Sequence, residues 1–133
     1  MFIACINVGS EYSGVYKLDE AIHSRFPYRF EVEYLKQQDE AKMLNARTGC
    51  GDDASLLLSR VAADLRSKTR GIGDGFLTKG VSTRQLIAAA YVVANGLSIQ
   101  DALELTISPS YEKDQGTKSE RAQVIQAIQL ITG

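Results

Sequence analysis

Three residues in this chain stand out together by type and placement: Asn7, Arg25 and Arg84. Asn7 follows the apolar run Phe2-Ile3-Ala4-Cys5-Ile6 and opens the turn-favouring Asn7-Val8-Gly9-Ser10. An amide at the carboxyl end of a buried strand lies where open α/β sheets place their ligands, and it can orient an attacking water. Arg25 falls near the end of Leu18-Asp19-Glu20-Ala21-Ile22-His23-Ser24-Arg25-Phe26, just before Pro27. Arg84 belongs to Val81-Ser82-Thr83-Arg84-Gln85-Leu86, at the opening of a later helix. A guanidinium is always charged and forks onto two oxygens, so it suits phosphate better than a point charge does. Each residue also has a plain reading. An Asn after a strand forms turns, and an Arg beside Phe and Pro is a solvated or ion-paired surface group. A cation in the first turn of a helix works mildly against the helix dipole, which hints at another use for Arg84.

The elements that must position these residues are a partial sheet and a set of helices. Phe2 to Ile6 is a continuous apolar run that suits a strand buried on both faces. In Tyr28 to Tyr34, the residues Tyr28, Phe30, Val32 and Tyr34 alternate with Arg29, Glu31 and Glu33, the period of a half-buried strand. Two strands alone are marginal, so this region reads as part of a larger sheet. Between them, Leu18 to Phe26 predicts a short helix that Pro27 ends.

From Gln37 the pattern is helical. Asp39 to Arg47 predicts a helix closed by Gly49, and Asp53 is placed to cap the next, with Leu57, Leu58, Val61, Ala62 and Leu65 at helical spacing. Thr69 to Gly80 holds four glycines and reads as a loop. Ser82 to Gln85 is a capping box opening a helix through Asn95, with Gly96 at its exit. Ser98 to Asp101 repeats the device for a helix through Ile107. Thr117 to Glu120 repeats it for the last helix, whose apolar stripe is Val124, Ile125, Ile128 and Ile131. The bias of Arg60 to Arg84, six basic residues against two acidic, reads as a solvated face.

Composition narrows the function classes. The chain has 133 residues, 15 basic and 16 acidic side chains and a net charge of -1, with 44% hydrophobic residues. That is ordinary for a globular protein with one core, and it gives no overall pull toward nucleic acid or anionic lipid. No apolar run approaches the roughly 18 to 20 residues of a membrane span, and the N-terminus has no basic segment of a secretion signal. One histidine, His23, and two isolated cysteines, Cys5 and Cys50, do not make a zinc site. These features point to a cytoplasmic setting with reduced thiols. His23 reads as a surface group, and Cys5 as a small core hydrophobe in its strand.

Taken in order, the strand ending in Asn7, the segment LDEAIHSRF, a second strand and a helix opening on STR resemble the second half of an AAA+ ATPase. The likeness is to the MoxR-like branch, which includes CbbQ, NirQ and the cobalt-chelatase small subunit, and it covers about residues 2 to 108. The resemblance implies that Asn7 is sensor 1, Arg25 the arginine finger and Arg84 sensor 2, with Arg84 also a nucleotide contact. It implies a mainly α chain with a partial β-sheet. Residues 1–36 would be the C-terminal part of an AAA+ α/β core and 37–133 a helical lid bundle. It also implies ATP and magnesium as cofactors, a homo-oligomeric, hexameric ring, a von Willebrand A-type partner protein, and chaperone-like remodelling or metal insertion.

The family's GxxxxGK[ST] phosphate loop is absent from the sequence, and no apolar strand ends in an acidic pair. Asp52-Asp53 follows Cys50-Gly51 in a loop and precedes a helix, and Asp19-Glu20 opens a helix, where acids favour the dipole. The chain therefore reads as the C-terminal portion of a longer ATPase, inactive alone and with no tightly bound nucleotide. Two alternatives compete. One is a small helical protein-interaction module. The other is a helix-turn-helix DNA-binding domain around Gly96, whose second helix offers Asp101 and Glu104 and no cation.

Overall fold

The computed structural model of the chain describes residues 3–5, 24–69, 76–112 and 119–133. The chain divides into two compact units, Met1–Glu33 and Tyr34–Gly133.

In the first unit, Ser24 and Arg25 are helical and the helix stops before Pro27. Pro27 disfavours helical backbone at Phe26, so the stop is local chemistry. The expected partial sheet is not seen among the described residues. Residues 3–5 and 26–33 carry no strand, Ile3 is 77% exposed and Cys5 is exposed rather than buried. Tyr28, Phe30 and Val32 are also exposed, at 84, 86 and 91%. Alternation supplies one apolar face, but a strand also needs a neighbouring backbone to take its N–H and C=O groups. No such neighbour pairs with either run among the described residues.

The second unit is a bundle of five helices among its described residues: α1 (Gln37–Thr48), α2 (Asp52–Ser67), α3 (Thr83–Ala94), α4 (Ile99–Thr106) and α5 (Glu120–Thr132). A 3₁₀ turn, Ser108–Ser110, follows α4. The core is apolar and fully buried: Leu44 of α1, Leu58, Val61, Ala62 and Leu65 of α2, Leu86 and Ala89 of α3, Leu103 of α4, and Val124 and Ile128 of α5. Burying each such Leu, Ile or Val stabilises the bundle by about 1.5–3 kcal/mol, which is more than helix propensity alone supplies. Within α5 the stripe is rotated from expectation, with Ala127 buried and Ile125 only half-buried. No described helix is long and apolar enough to cross a membrane.

The helix ends follow from identifiable caps. Helix α1 ends at Gly49, whose φ of 70° is the left-handed region that glycine occupies without strain. The start of α2 departs from expectation, because Asp53 does not cap it and Gly51 occupies the N-cap with no side chain to offer. No side chain caps α2, and Asn45 of α1 braces the corner instead. Its Oδ1 accepts from Gly51 N–H at 3.0 Å and its Nδ2 donates to Asp52 Oδ1 at 2.7 Å. Helix α3 has the expected reciprocal box between Ser82 and Gln85, and Ser98 caps α4. Helix α5 is capped by Ser119, two residues past the expected Thr117, which lies outside the described residues. Glu120 reaches across to Thr78, accepting from its N–H at 2.7 Å and its hydroxyl at 2.9 Å. Of the glycine-rich loop, the described part contains an isolated parallel bridge between Thr69 and Leu77.

Candidate functional site

Arg84 is the second residue of α3, in the first turn of a helix whose N-terminus is held from two sides. On the first side is the local box. Gln85 N–H donates to Ser82 Oγ at 3.2 Å, and Ser82 N–H donates to Gln85 Oε1 at 3.0 Å. On the second side is a buried carboxylate from another helix. Thr83 Oγ1 donates to Glu40 Oε1 at 3.0 Å. Glu40 sits on the inward stripe of α1 with Ala41 and Leu44, so its carboxylate is carried into the bundle and its side chain is 1% exposed.

A carboxylate stripped of water needs compensation, and Arg66 of α2 supplies it. Arg66 Nη1 and Nη2 donate to Glu40 Oε2 and Oε1 at 2.8 and 2.9 Å, the two-pronged geometry that suits guanidinium and carboxylate. Its remaining nitrogen, Nε, donates to the Val81 carbonyl at 2.8 Å, at the approach to α3. The ring of Tyr34 lies over the guanidinium with its centroid 3.8 Å from Cζ. Among the described residues no buried side-chain nitrogen or oxygen lacks a hydrogen-bond partner. Four residues from four places in the chain thus fix the start of α3.

This arrangement divides two arginines by role. The Arg66 guanidinium is 11% exposed and neutralised, so the solvated-face reading of the Arg60-to-Arg84 bias fails there. Arg84 is exposed and, among the described residues, makes no ion pair. An exposed guanidinium on a rigid helix start can fork onto the oxygens of an anion. The Arg84 guanidinium suits one phosphate edge of a nucleotide. Among the described residues no group of three or more His, Cys, Asp or Glu could hold a metal ion.

Arg25 is exposed on its helical turn, again without an ion pair among the described residues. It belongs to the first unit and Arg84 to the second, while Asn7 and His23 lie outside the described residues. Glu40, Arg66, Thr83 and Tyr34 were not legible as a group. The available signal was a charge at an apolar position of each helical stripe: Glu40 beside Ala41 and Leu44, and Arg66 beside Leu65 and Ala62.

Two other features have structural roles. Tyr111 is 3% exposed and its hydroxyl donates to the Lys79 carbonyl at 3.0 Å. Burial above all, with the Glu120 carboxylate and Tyr34 adding, pushes its pKa up to about 12, so it stays protonated at neutral pH. The α3–α4 corner turns at Gly96, whose φ is 101°, as a helix-turn-helix would. Its second helix, Ile-Gln-Asp-Ala-Leu-Glu-Leu-Thr, presents Asp101 exposed and no Lys or Arg, which repels phosphate backbones.

The helical unit that carries these features corresponds to a known family. The model of the CbbQ/NirQ/NorQ C-terminal domain matches residues 40–128, from the buried Glu40 to Ile128 in the core of α5. No curated protein matches the chain. With two thirds of its length inside that match, the chain belongs to the CbbQ/NirQ/NorQ C-terminal family, the C-terminal part of a MoxR-like AAA+ ATPase.

Proposed function

We propose that this chain supplies the lid and the phosphate-reading arginines of a ring-forming AAA+ ATPase. Arg84 is the sensor 2 residue and contacts the nucleotide's terminal phosphate. Arg25 is the arginine finger offered to a neighbouring subunit, and Asn7 is the sensor 1 residue that orients water. ATP with magnesium supplies the transferable phosphoryl group and most of its charge neutralisation. The phosphate loop and magnesium ligands come from a part of the parent ATPase other than this chain, so this chain by itself does not turn over ATP. Phe2 to Ile6 and Tyr28 to Tyr34 are strands of the same parent's sheet, which would account for the alternation of Tyr28 to Tyr34 without a ladder among the described residues.

The observation that carries this reading is the contrast between Arg66 and Arg84. The first is buried and neutralised by Glu40, and the second is left exposed at the helix start which that pair secures. A cation set against the helix dipole costs a few tenths of a kcal/mol in ordinary circumstances, and a phosphate partner would turn that cost into binding. The ring is cytoplasmic and hexameric, and works with a von Willebrand A-type partner in remodelling an enzyme or inserting a metal. The test is ATP turnover by the assembled parent carrying Arg84→Ala. Turnover should fall by about 10-fold or more, with the melting temperature of the lid unchanged. Turnover equal to the unsubstituted ring overturns the reading.

A further inference from the structure

We infer that Tyr34 and Thr83 are positioning residues for Arg84, coupled to each other through the buried Glu40–Arg66 pair. The inference rests on the reading of Arg84 as the phosphate-sensing residue, and it adds how that residue is set. Tyr34 lies three residues before α1 begins. Its ring covers the Arg66 guanidinium at 3.8 Å. The same guanidinium holds both Glu40 oxygens and the Val81 carbonyl, and Glu40 Oε1 takes the Thr83 hydroxyl. Val81 and Thr83 flank the cap residue Ser82, so both ends of the α3 cap are fastened to one ion pair.

The coupling has a direction that the geometry explains. A planar guanidinium with all three nitrogens committed cannot rotate without breaking several bonds at once. The Tyr34 face adds a cation–π contact to it. Moving Tyr34 therefore loosens Arg66, which loosens Val81 and, through Glu40, Thr83. Tyr34, at the approach to α1, thus biases the first turn of α3 and with it the placement of Arg84.

Amide hydrogen exchange on the 133-residue chain tests this directly. Tyr34→Ala and Thr83→Val should each speed exchange of the Gln85, Leu86 and Ile87 amides by about 5-fold. The amides of Leu103 and Ile107 in and after α4 should not change. Tyr34→Phe keeps the ring and Thr83→Ser keeps the hydroxyl, so both should behave as the unsubstituted chain. All four variants leave the buried ion pair in place. Unchanged exchange at α3 in Tyr34→Ala overturns the coupling, and so does a uniform increase across the bundle, which would mark a merely structural role. In the parent ATPase, Thr83→Val should slow turnover, yet slow it no further once Arg84 is Ala. An additional loss in the double variant overturns positioning through Arg84. Normal turnover in Arg84→Ala alone overturns the proposed function instead, and the exchange result then decides the coupling by itself.

Discussion

Glu40 of α1 and Arg66 of α2 meet in a two-pronged ion pair, with contacts of 2.8 and 2.9 Å, inside the helical bundle. Arg66 Nε adds the Val81 carbonyl and Glu40 Oε1 adds the Thr83 hydroxyl, so the pair joins three helices at one point. Its energetic worth is asymmetric. Forming a buried pair from solvated ions gains little net, but removing one partner leaves a charge without water or counter-ion.

Glu40→Gln should therefore destabilise the chain by about 3 kcal/mol. Urea denaturation followed by far-UV circular dichroism checks this. Glu40→Leu combined with Arg66→Met should recover much of the loss, because neither charge then remains buried. A single-variant loss under about 1 kcal/mol would mean that water reaches the pair in solution.

Tyr111 predicts an alkaline limit. Its pKa is raised to about 12 in the fold from an unfolded value of 10.0. The folded state thus holds a proton that the unfolded chain releases. The stabilisation is complete below pH 10 and is lost as pH rises from about 10 toward 12. Tyr111→Phe should lose about 1 kcal/mol at neutral pH, through the bond to Lys79, and should show a shallower fall in melting temperature between pH 9.5 and 11. An equally steep fall in Tyr111→Phe would assign the alkaline loss to other groups.

The α1–α2 corner should be sensitive at Gly49 and Asn45. Gly49→Ala forces a Cβ into a φ of 70° and should lose about 1 kcal/mol, while Gly49→Asn should lose less. Asn45→Ala removes both bonds across the corner, to Gly51 and Asp52, and should lose about 1–2 kcal/mol. Melting curves of the three variants decide the order.

These corners also show what a sequence discloses. The Ser82–Gln85 box was legible because both partners lie within four residues and their chemistry is self-contained. The α2 start was not, since no side chain caps it and the bonds that brace it come from Asn45 on the preceding helix. Glu40 was visible only as one residue of the expected Asp39-to-Arg47 helix, and Arg66 only as one member of a basic stretch. Their pairing depends on how α1 and α2 pack, which no local pattern encodes. Tyr28 to Tyr34 shows the converse: period-2 alternation records a face, and the partner strand that would cover it is a separate requirement. Arg25 and Arg84 were found by order along the chain, whereas the buried pair that secures Arg84 emerged from the helical packing.

For nucleotide, titration calorimetry of the 133-residue chain with ATP-magnesium should detect nothing tighter than about millimolar, a level that isolated guanidinium contacts reach. Micromolar binding would require a phosphate cradle within this chain and would contradict the division of the ATPase proposed above.

The most direct measurement of the central claim mixes subunits of the parent ATPase. Arg25→Ala should lower ATP turnover by on the order of 10³-fold, because the charge that stabilises phosphoryl transfer is lost, while ATP binding changes far less. Arg25→Lys should recover little, as an ammonium lacks the fork. The Arg25→Ala ring is then co-assembled with a ring whose own phosphate loop is inactive. If Arg25 acts across the subunit boundary, some interfaces pair an intact loop with an intact finger and partial turnover returns. No recovery in rings shown to contain both subunits would place Arg25 within its own subunit or in a purely structural role, and would contradict the claim.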